Sequence, residues 1–177
     1  MQGRIEVIAG PMFSGKSEEL VRRLRRQAIA RRRVVAFHST VDTRGTPGLI
    51  ESRAGVSFAA LVVRDSAQLV RLAAGYSVVG IDEAQFFEAD IVPAVVGLAD
   101  AGVLVIVAGL DRFAGGRPWP PMPELMAVAD HVEKLAAVCV VCGESAMHTH
   151  AKAGGGDRVE IGSEQYEARC RACMPRG

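Results

Sequence analysis

Short, almost unbroken apolar runs recur along the chain at Ile5–Ala9, Val34–Ser39, Val78–Ile81 and Val103–Ala108. Each is too short for a stable helix and rich in β-branched residues, so each predicts a buried strand. The stretches between them have helical spacing. From Ser17 to about Arg31, Leu20, Leu24 and Ala28 fall on one face. Asp65 can cap a second helix, with Gln68 three residues on as its capping-box partner. Ala89–Ala101 is helical by pattern and meets Gly102 where a C-terminal stop is expected. The pattern also predicts a strand over Val56–Val63 and a helix near Glu124–His131. Apolar strands without alternation, separated by helices, imply a parallel sheet covered on both faces, hence an α/β fold.

Two segments fall outside this rhythm. Thr40–Gly55 is a Gly/Pro-punctuated loop that carries Asp42, Thr43 and Arg44. Gly109–Pro123 is broken by Gly115, Gly116, Pro118, Pro120 and Pro121, and has the length of a functional lid.

The first strand runs into Gly10-Pro11-Met12-Phe13-Ser14-Gly15-Lys16-Ser17, which matches G-x-x-x-x-G-K-[ST] and opens a helix. Its glycines let backbone N–H groups turn onto phosphate oxygens, and the helix N-terminus adds its dipole. Lys16 is placed to reach the β- and γ-phosphates of ATP, and the Ser17 hydroxyl to hold Mg²⁺.

Val78–Ile81 ends in Asp82-Glu83, the arrangement of a Walker B strand. Asp82 is expected beside the cradle as a Mg²⁺ ligand; Gln85 is grouped with the ATP- and phosphate-binding residues. Glu83 has two readings. It orients a water in an NTPase, or takes a proton from a substrate hydroxyl in a kinase, and spacing does not separate them.

Cys139-x₂-Cys142 and Cys170-x₂-Cys173 are 27 residues apart. Two such knuckles present four thiolates in the pattern of structural zinc, and a closed four-sulfur site leaves no position open for chemistry. Disulfides and ligation by His148 or His150 are the weaker readings. The segment from Cys139 has few core residues and a glycine tip at Gly154–Gly156, so a boundary is expected there: 1–138 for nucleotide binding and phosphotransfer, 139–177 for a metal-folded module.

Composition narrows the function classes. The 177 residues carry a net charge of +1, which argues against bulk electrostatic binding to nucleic acid or membrane. No apolar run reaches the ~18 residues a membrane span needs. The apolar stretch after Arg4 leads straight into the phosphate loop and does not read as a signal peptide, so a cytoplasmic, reducing location is expected. Arg22 to Arg33 holds seven arginines, and a nucleic-acid-linked P-loop ATPase is the alternative reading. Their interleaving with Leu24 and Ala28 fits a solvated or subunit-facing helix face better. A zinc-ribbon recognition module is disfavoured, because the stretch between the knuckles lacks clustered cations and aromatics.

The chain resembles the type II, zinc-containing thymidine kinases over essentially its full length. The resemblance rests on GPMFSGKSEEL at Gly10, DTR at Asp42, ESRAG at Glu51, IDEAQFF at Ile81, GLD at Gly109, KLAAVCVVCG at Lys134 and the closing C-x₂-C. It implies a RecA-like P-loop core with a small zinc-binding lasso, and ATP-dependent phosphorylation of the thymidine 5′-hydroxyl. Glu83 is then the general base, and Asp42 and Arg44 are phosphate-side loop residues. Met12, Phe86 and Thr149 border the thymine, with Phe113 and Trp119 in the lid. Ile161, Gly162, Ser163 and Tyr166, in Val159–Tyr166, close over the nucleoside. The resemblance also implies a homotetramer and feedback inhibition by thymidine triphosphate. Three features depart from the family: Gly162-Ser163 in place of two glycines, Phe113 one place early with Trp119 for phenylalanine, and Thr149-His150-Ala151 in place of Thr-Lys-Arg.

Overall fold

The apolar run after Gly3 forms strand β1 (Arg4–Gly10), an interior strand one place from the edge of the parallel sheet, where five successive side chains are buried. The computed structural model of the protein describes residues 2–41, 46, 48–52, 55–152 and 164–175. The loop after β1 opens helix α1 (Lys16–Ile29), followed by β2 (Val34–Ser39) and the hairpin strands β3 (Leu49–Glu51) and β4 (Ser57–Ala59). Next come β5 (Leu61–Val63), α2 (Ser66–Leu72) and β6 (Val78–Ile81). A 3-10 turn (Ala84–Phe86), α3 (Ile91–Asp100), β7 (Leu104–Leu110), α4 (Met122–Val128) and β8 (His131–Lys134) complete the main sheet and its cover. Its six strands run parallel in the order β5-β2-β6-β7-β1-β8.

Strand alternation divides the core in two. Val7, Phe37, Ile81, Val105 and Val107 face α2, α3 and α4 together with Leu69, Ile91, Val95 and Leu125. Ile8, Ala36, Leu104 and Ile106 face α1 through Leu20, Val21 and Leu24. Burial of that size, at roughly 1.5–3 kcal/mol per large aliphatic side chain, is what holds helices this short in place. The expected α2 cap is present: the Asp65 carboxylate accepts from Gln68 N–H at 2.7 Å, while the Gln68 side chain accepts from Arg64 N–H, one residue earlier than a capping box requires. Helix α3 stops where expected, with Gly102 in the left-handed region at φ 89°.

Two expectations are corrected. Val56–Val63 is two strands: β4 pairs antiparallel with β3, whereas β5 pairs parallel with β2 at the sheet edge. The expected helix at 124–131 runs from Met122 to Val128, and His131–Lys134 is an edge strand beside β1. Edge strands have one solvated side, so β8 is mostly exposed and carries no apolar run to announce it.

Four short strands follow: β9 (Ala137–Val138), β10 (Ser145–Ala146), β11 (His148–Ala151) and β12 (Tyr166–Arg169), paired as β9 with β10 and β11 with β12. They enclose a separate small cluster of Ala137, Cys139, Ala146, Ala168 and Cys170. Among the described residues no helix is long and apolar enough to cross a membrane.

Candidate functional site

The phosphate loop leaves β1 at Gly10, whose φ of 149° suits glycine. A Cβ there would lie 2.4 Å from the Leu135 carbonyl oxygen, so only glycine lets the chain after β8 close over the loop. Gly15, at φ 82°, turns the chain into α1, and Phe13 also sits in the left-handed region at φ 68°. Lys16 is buried, and its Nζ donates to the Pro11 carbonyl at 2.7 Å; the Ser14 hydroxyl donates to the same oxygen at 2.8 Å. A buried ammonium resting on a neutral carbonyl at the N-terminus of α1 is a site for an anion.

The carboxylates stand at the end of β6, two strands from β1. The Ser17 hydroxyl donates to Asp82 Oδ1 at 3.3 Å, which ties the cradle to the strand end, and Glu83 N–H donates to the same oxygen at 3.0 Å. Burial first, and then the neighbouring Glu83 charge, push the Asp82 carboxyl up to about 7, against the opposing pull of Ser17 and Lys16. A buried carboxylate with a hydroxyl beside it and too little positive charge around it is the donor set of a hard divalent cation. Glu83, in the left-handed region at φ 50°, is half-buried. The buried Gln85 side chain spans two elements: its oxygen accepts from Leu110 N–H at 2.9 Å and its amide donates to the Glu83 carboxylate. Gln85, expected with the phosphate group, thus has its described hydrogen bonds on the base side.

After β7 the chain folds back on itself, with Phe113 N–H donating to Arg117 O at 2.9 Å and Trp119 N–H to Asp111 O at 3.0 Å. Phe113 and Trp119 stack at 4.1 Å between ring centroids, Phe86 meets Trp119 edge-on at 5.8 Å, and the Arg117 guanidinium lies 4.8 Å from the Phe113 ring centre. The three aromatics expected around a nucleoside therefore form one cluster, a surface that suits a flat ring. At its root, buried Asp111 is paired with Lys134 at 3.0 Å and Arg112 at 3.5 Å. Asp111 and Lys134 have no role assigned by the sequence motifs above. Asp111 repeats the pattern seen at Asp82, an apolar strand (here Leu104–Leu110) ending in an acid.

Thr149, on β11, is buried, and its hydroxyl accepts from Met12 N–H at 2.9 Å, so two expected site residues from distant parts of the chain meet. Tyr166 starts β12 opposite Ala151. Asp42, Arg44, Ile161, Gly162 and Ser163, and the glycine tip at 154–156, lie outside the described residues.

The four cysteines converge. Their Sγ atoms lie within 4.8 Å of one another, and Cys142 and Cys170 are 3.6 Å apart, far longer than the about 2.05 Å of a disulfide. Tetrahedral thiolates at about 2.3 Å from a zinc ion stand about 3.8 Å apart, so the cluster fits and can hold zinc. The backbone N–H of Cys170 foremost pulls the Cys139 thiol down to about 6, whereas hydrogen bonding to Cys142 and Cys170 pushes Cys173 up to about 12. One ready thiolate among four crowded sulfurs is what a soft cation would take up. His148 and His150 lie on β11 and are not in this group.

Three of the α1 arginines, Arg22, Arg23 and Arg25, are engaged within the chain. Arg23, largely buried, pairs with Glu6 at 2.7 Å, with Glu19 at 2.8 Å and with Glu133, and Arg25 donates to Ser57 O. That arrangement favours a solvated helix ridge over a nucleic-acid track.

A family model described as thymidine kinase matches residues 3–174. A thymidine kinase of Bacteroides fragilis is 44% identical over 176 residues, covering 99% of this chain and 88% of its own. That of a Rhodothermus species is 48% identical over 173 residues, covering 97% of this chain and 81% of its own. That of Deinococcus radiodurans is 47% identical over 189 aligned positions, covering 96% and 89%.

Proposed function

We propose that this chain, which belongs to the thymidine kinase family, transfers the γ-phosphoryl group of ATP to the 5′-hydroxyl of thymidine. The observation that carries the reading is the Ser17–Asp82 hydrogen bond, which joins the phosphate cradle to the strand end bearing Glu83. In this mechanism Lys16 moves onto the β- and γ-phosphates and the backbone amides of the loop cradle them. Ser17 and Asp82 would hold Mg²⁺, which neutralises phosphate charge when bound. Glu83 accepts the 5′-hydroxyl proton as the oxygen attacks the γ-phosphorus. The bond from that phosphorus to the β–γ bridging oxygen breaks, and ADP leaves with the electron pair. Catalysis of this kind is mostly positioning and charge neutralisation.

The nucleoside is proposed to lie against Phe86, Phe113 and Trp119, near Met12, Thr149 and Tyr166, with Ile161, Gly162 and Ser163 reading its base and Asp42 and Arg44 on the phosphate side. The clustered rings support this. Zinc at Cys139, Cys142, Cys170 and Cys173 is proposed to fold a module over 139–177, while 1–138 binds nucleotide. Ala137 already joins the module's apolar cluster, a slight overlap at that boundary. A cytoplasmic homotetramer inhibited by thymidine triphosphate completes the reading.

The test is formation of thymidine monophosphate from thymidine, ATP and Mg²⁺, with deoxyuridine and deoxycytidine alongside. Glu83→Gln should reduce kcat by roughly 10²- to 10⁴-fold, the usual contribution of a general base. Absence of product from the wild-type protein, or an unimpaired glutamine variant, defeats the proposal.

A further inference from the structure

The peptide unit joining Pro11 to Met12 is held from both ends. Its carbonyl accepts from Lys16 Nζ at 2.7 Å and from the Ser14 hydroxyl at 2.8 Å. Its N–H donates to Thr149 Oγ1 at 2.9 Å, across 137 residues of sequence. Both groups belong to one rigid plane, so these bonds together fix its rotation. The next residue, Phe13, sits in the left-handed region at φ 68°, a conformation that persists in a non-glycine residue only where the surroundings over-determine it.

Two of the three bonds come from the cradle's own side chains, and the stronger of them, from the ammonium, is on loan. When a nucleotide arrives, Lys16 turns toward the phosphates and its bond to Pro11 is given up. Thr149 faces the opposite edge of the plane, and its hydroxyl, unlike the ammonium, is not drawn away to the phosphates. It is also well anchored: it pairs with Ala168 in the β11–β12 ladder, Ala168 is buried in the small cluster with Cys139 and Cys170, and Cys170 lies two residues further on.

We propose that Thr149 is a positioning residue for the phosphate cradle: it holds the Pro11–Met12 peptide in its binding orientation while Lys16 switches to the phosphates, and so couples the seating of the cysteine-bearing segment to nucleotide affinity. This rests on the ATP-binding half of the reading above and is independent of which acceptor is phosphorylated. Coupling is reciprocal, so bound nucleotide steadies β11 and β12 as those strands steady the loop.

The experiment measures Mg·ADP binding by calorimetry with no nucleoside present, on zinc-loaded wild type, Thr149→Val and Thr149→Ser. Valine keeps the shape and removes the acceptor; serine keeps the oxygen. The dissociation constant should rise about 3- to 10-fold in the valine variant, the worth of one neutral hydrogen bond, and stay within about twofold in the serine variant. Amide exchange over 148–151 and 166–169 should slow on adding Mg·ADP to wild type and not to Thr149→Val, a readout that mere packing of Thr149 does not move. Should the valine variant not fold, Thr149→Ala against Thr149→Ser makes the same comparison. Equal affinities in wild type and valine variant, equal losses with valine and serine, or exchange in wild type indifferent to nucleotide would each overturn the proposal. Wild-type protein that binds Mg·ADP but does not phosphorylate thymidine would instead fault only the proposed acceptor.

Discussion

Gln85 holds Glu83 in place: its amide donates to the Glu83 carboxylate while its oxygen accepts from Leu110 N–H at 2.9 Å. One buried side chain thus references the proposed base to the end of the neighbouring strand. Replacing it by leucine keeps the bulk and cuts both bonds. Misplacement of a catalytic group by about an ångström costs on the order of 10²-fold, so Gln85→Leu should lower kcat by roughly 10- to 100-fold with KM for both substrates little changed. The orphaned Leu110 N–H should also cost about 1–3 kcal/mol of stability. Steady-state kinetics at several concentrations of each substrate separates the two effects, and a rise in KM with kcat intact would show that Gln85 serves binding instead.

What could be read in advance was whatever is local. The cradle at Gly10–Ser17, the acids after Ile81 and the paired cysteines are defined by spacing within a few residues, and the apolar strands by burial on both faces. Strand β8 is obscured because an edge position does not require apolar side chains, so His131 reads as the end of the preceding helix; β5 is apolar, but it follows β4 after a single residue and the two read as one strand. The contact of Thr149 with Met12 and the Asp111–Lys134 pair depend on how distant segments pack, and such pairings leave no periodicity along the chain. The hydrogen bonds of Gln85 to Glu83 and Leu110 likewise depend on the 3-10 turn at Ala84–Phe86 and on the packing of neighbouring strands, which spacing after Asp82 does not announce.

The Asp82 carboxyl, ordinarily near 3.8, is pushed up to about 7, chiefly by burial. Its folded form therefore holds the proton more tightly than the unfolded chain does. The stabilisation that follows is complete below about pH 3.8 and is lost as pH rises toward 7. Thermal unfolding of magnesium- and nucleotide-free protein should show wild type losing stability between pH 5 and pH 8 relative to Asp82→Asn, which cannot ionise there. Parallel curves for the two proteins would contradict the shift. Magnesium with nucleotide should narrow the gap at pH 8, because it binds the ionised form.

Glu19 behaves in the opposite sense. Its hydrogen bond to Arg22 foremost, with Arg23 adding to it, holds the carboxyl down to about 2 from an ordinary 4.5. That contribution is present above pH 4.5 and is lost as pH falls toward 2. Because the pair with Arg22 is largely solvated, Glu19→Gln should cost only about 1 kcal/mol at pH 7. Urea unfolding at pH 7 and pH 3 should show the difference between wild type and variant shrinking at the lower pH. A difference that stays constant would mean that the ion pairs contribute nothing to the acid limb.

The cysteine cluster makes the sharpest demand on composition. Four sulfurs within 4.8 Å, with the Cys139 thiol pulled down to about 6, should bind about one zinc ion per chain at neutral pH. Because the surrounding strands are short and their apolar cluster is small, the metal should supply much of the local folding energy. Chelation should therefore expose the amides of β11 and β12 to rapid exchange while the six-stranded sheet stays protected, and should lower Tm by more than about 5 °C if at least about 2 kcal/mol is lost. Cys173→Ser should reproduce both effects without a chelator, since it removes one ligand and leaves the volume almost unchanged. Zinc content at unit stoichiometry in that variant, or native exchange in metal-stripped protein, would mean that the thiols are merely crowded and that another feature holds these strands together.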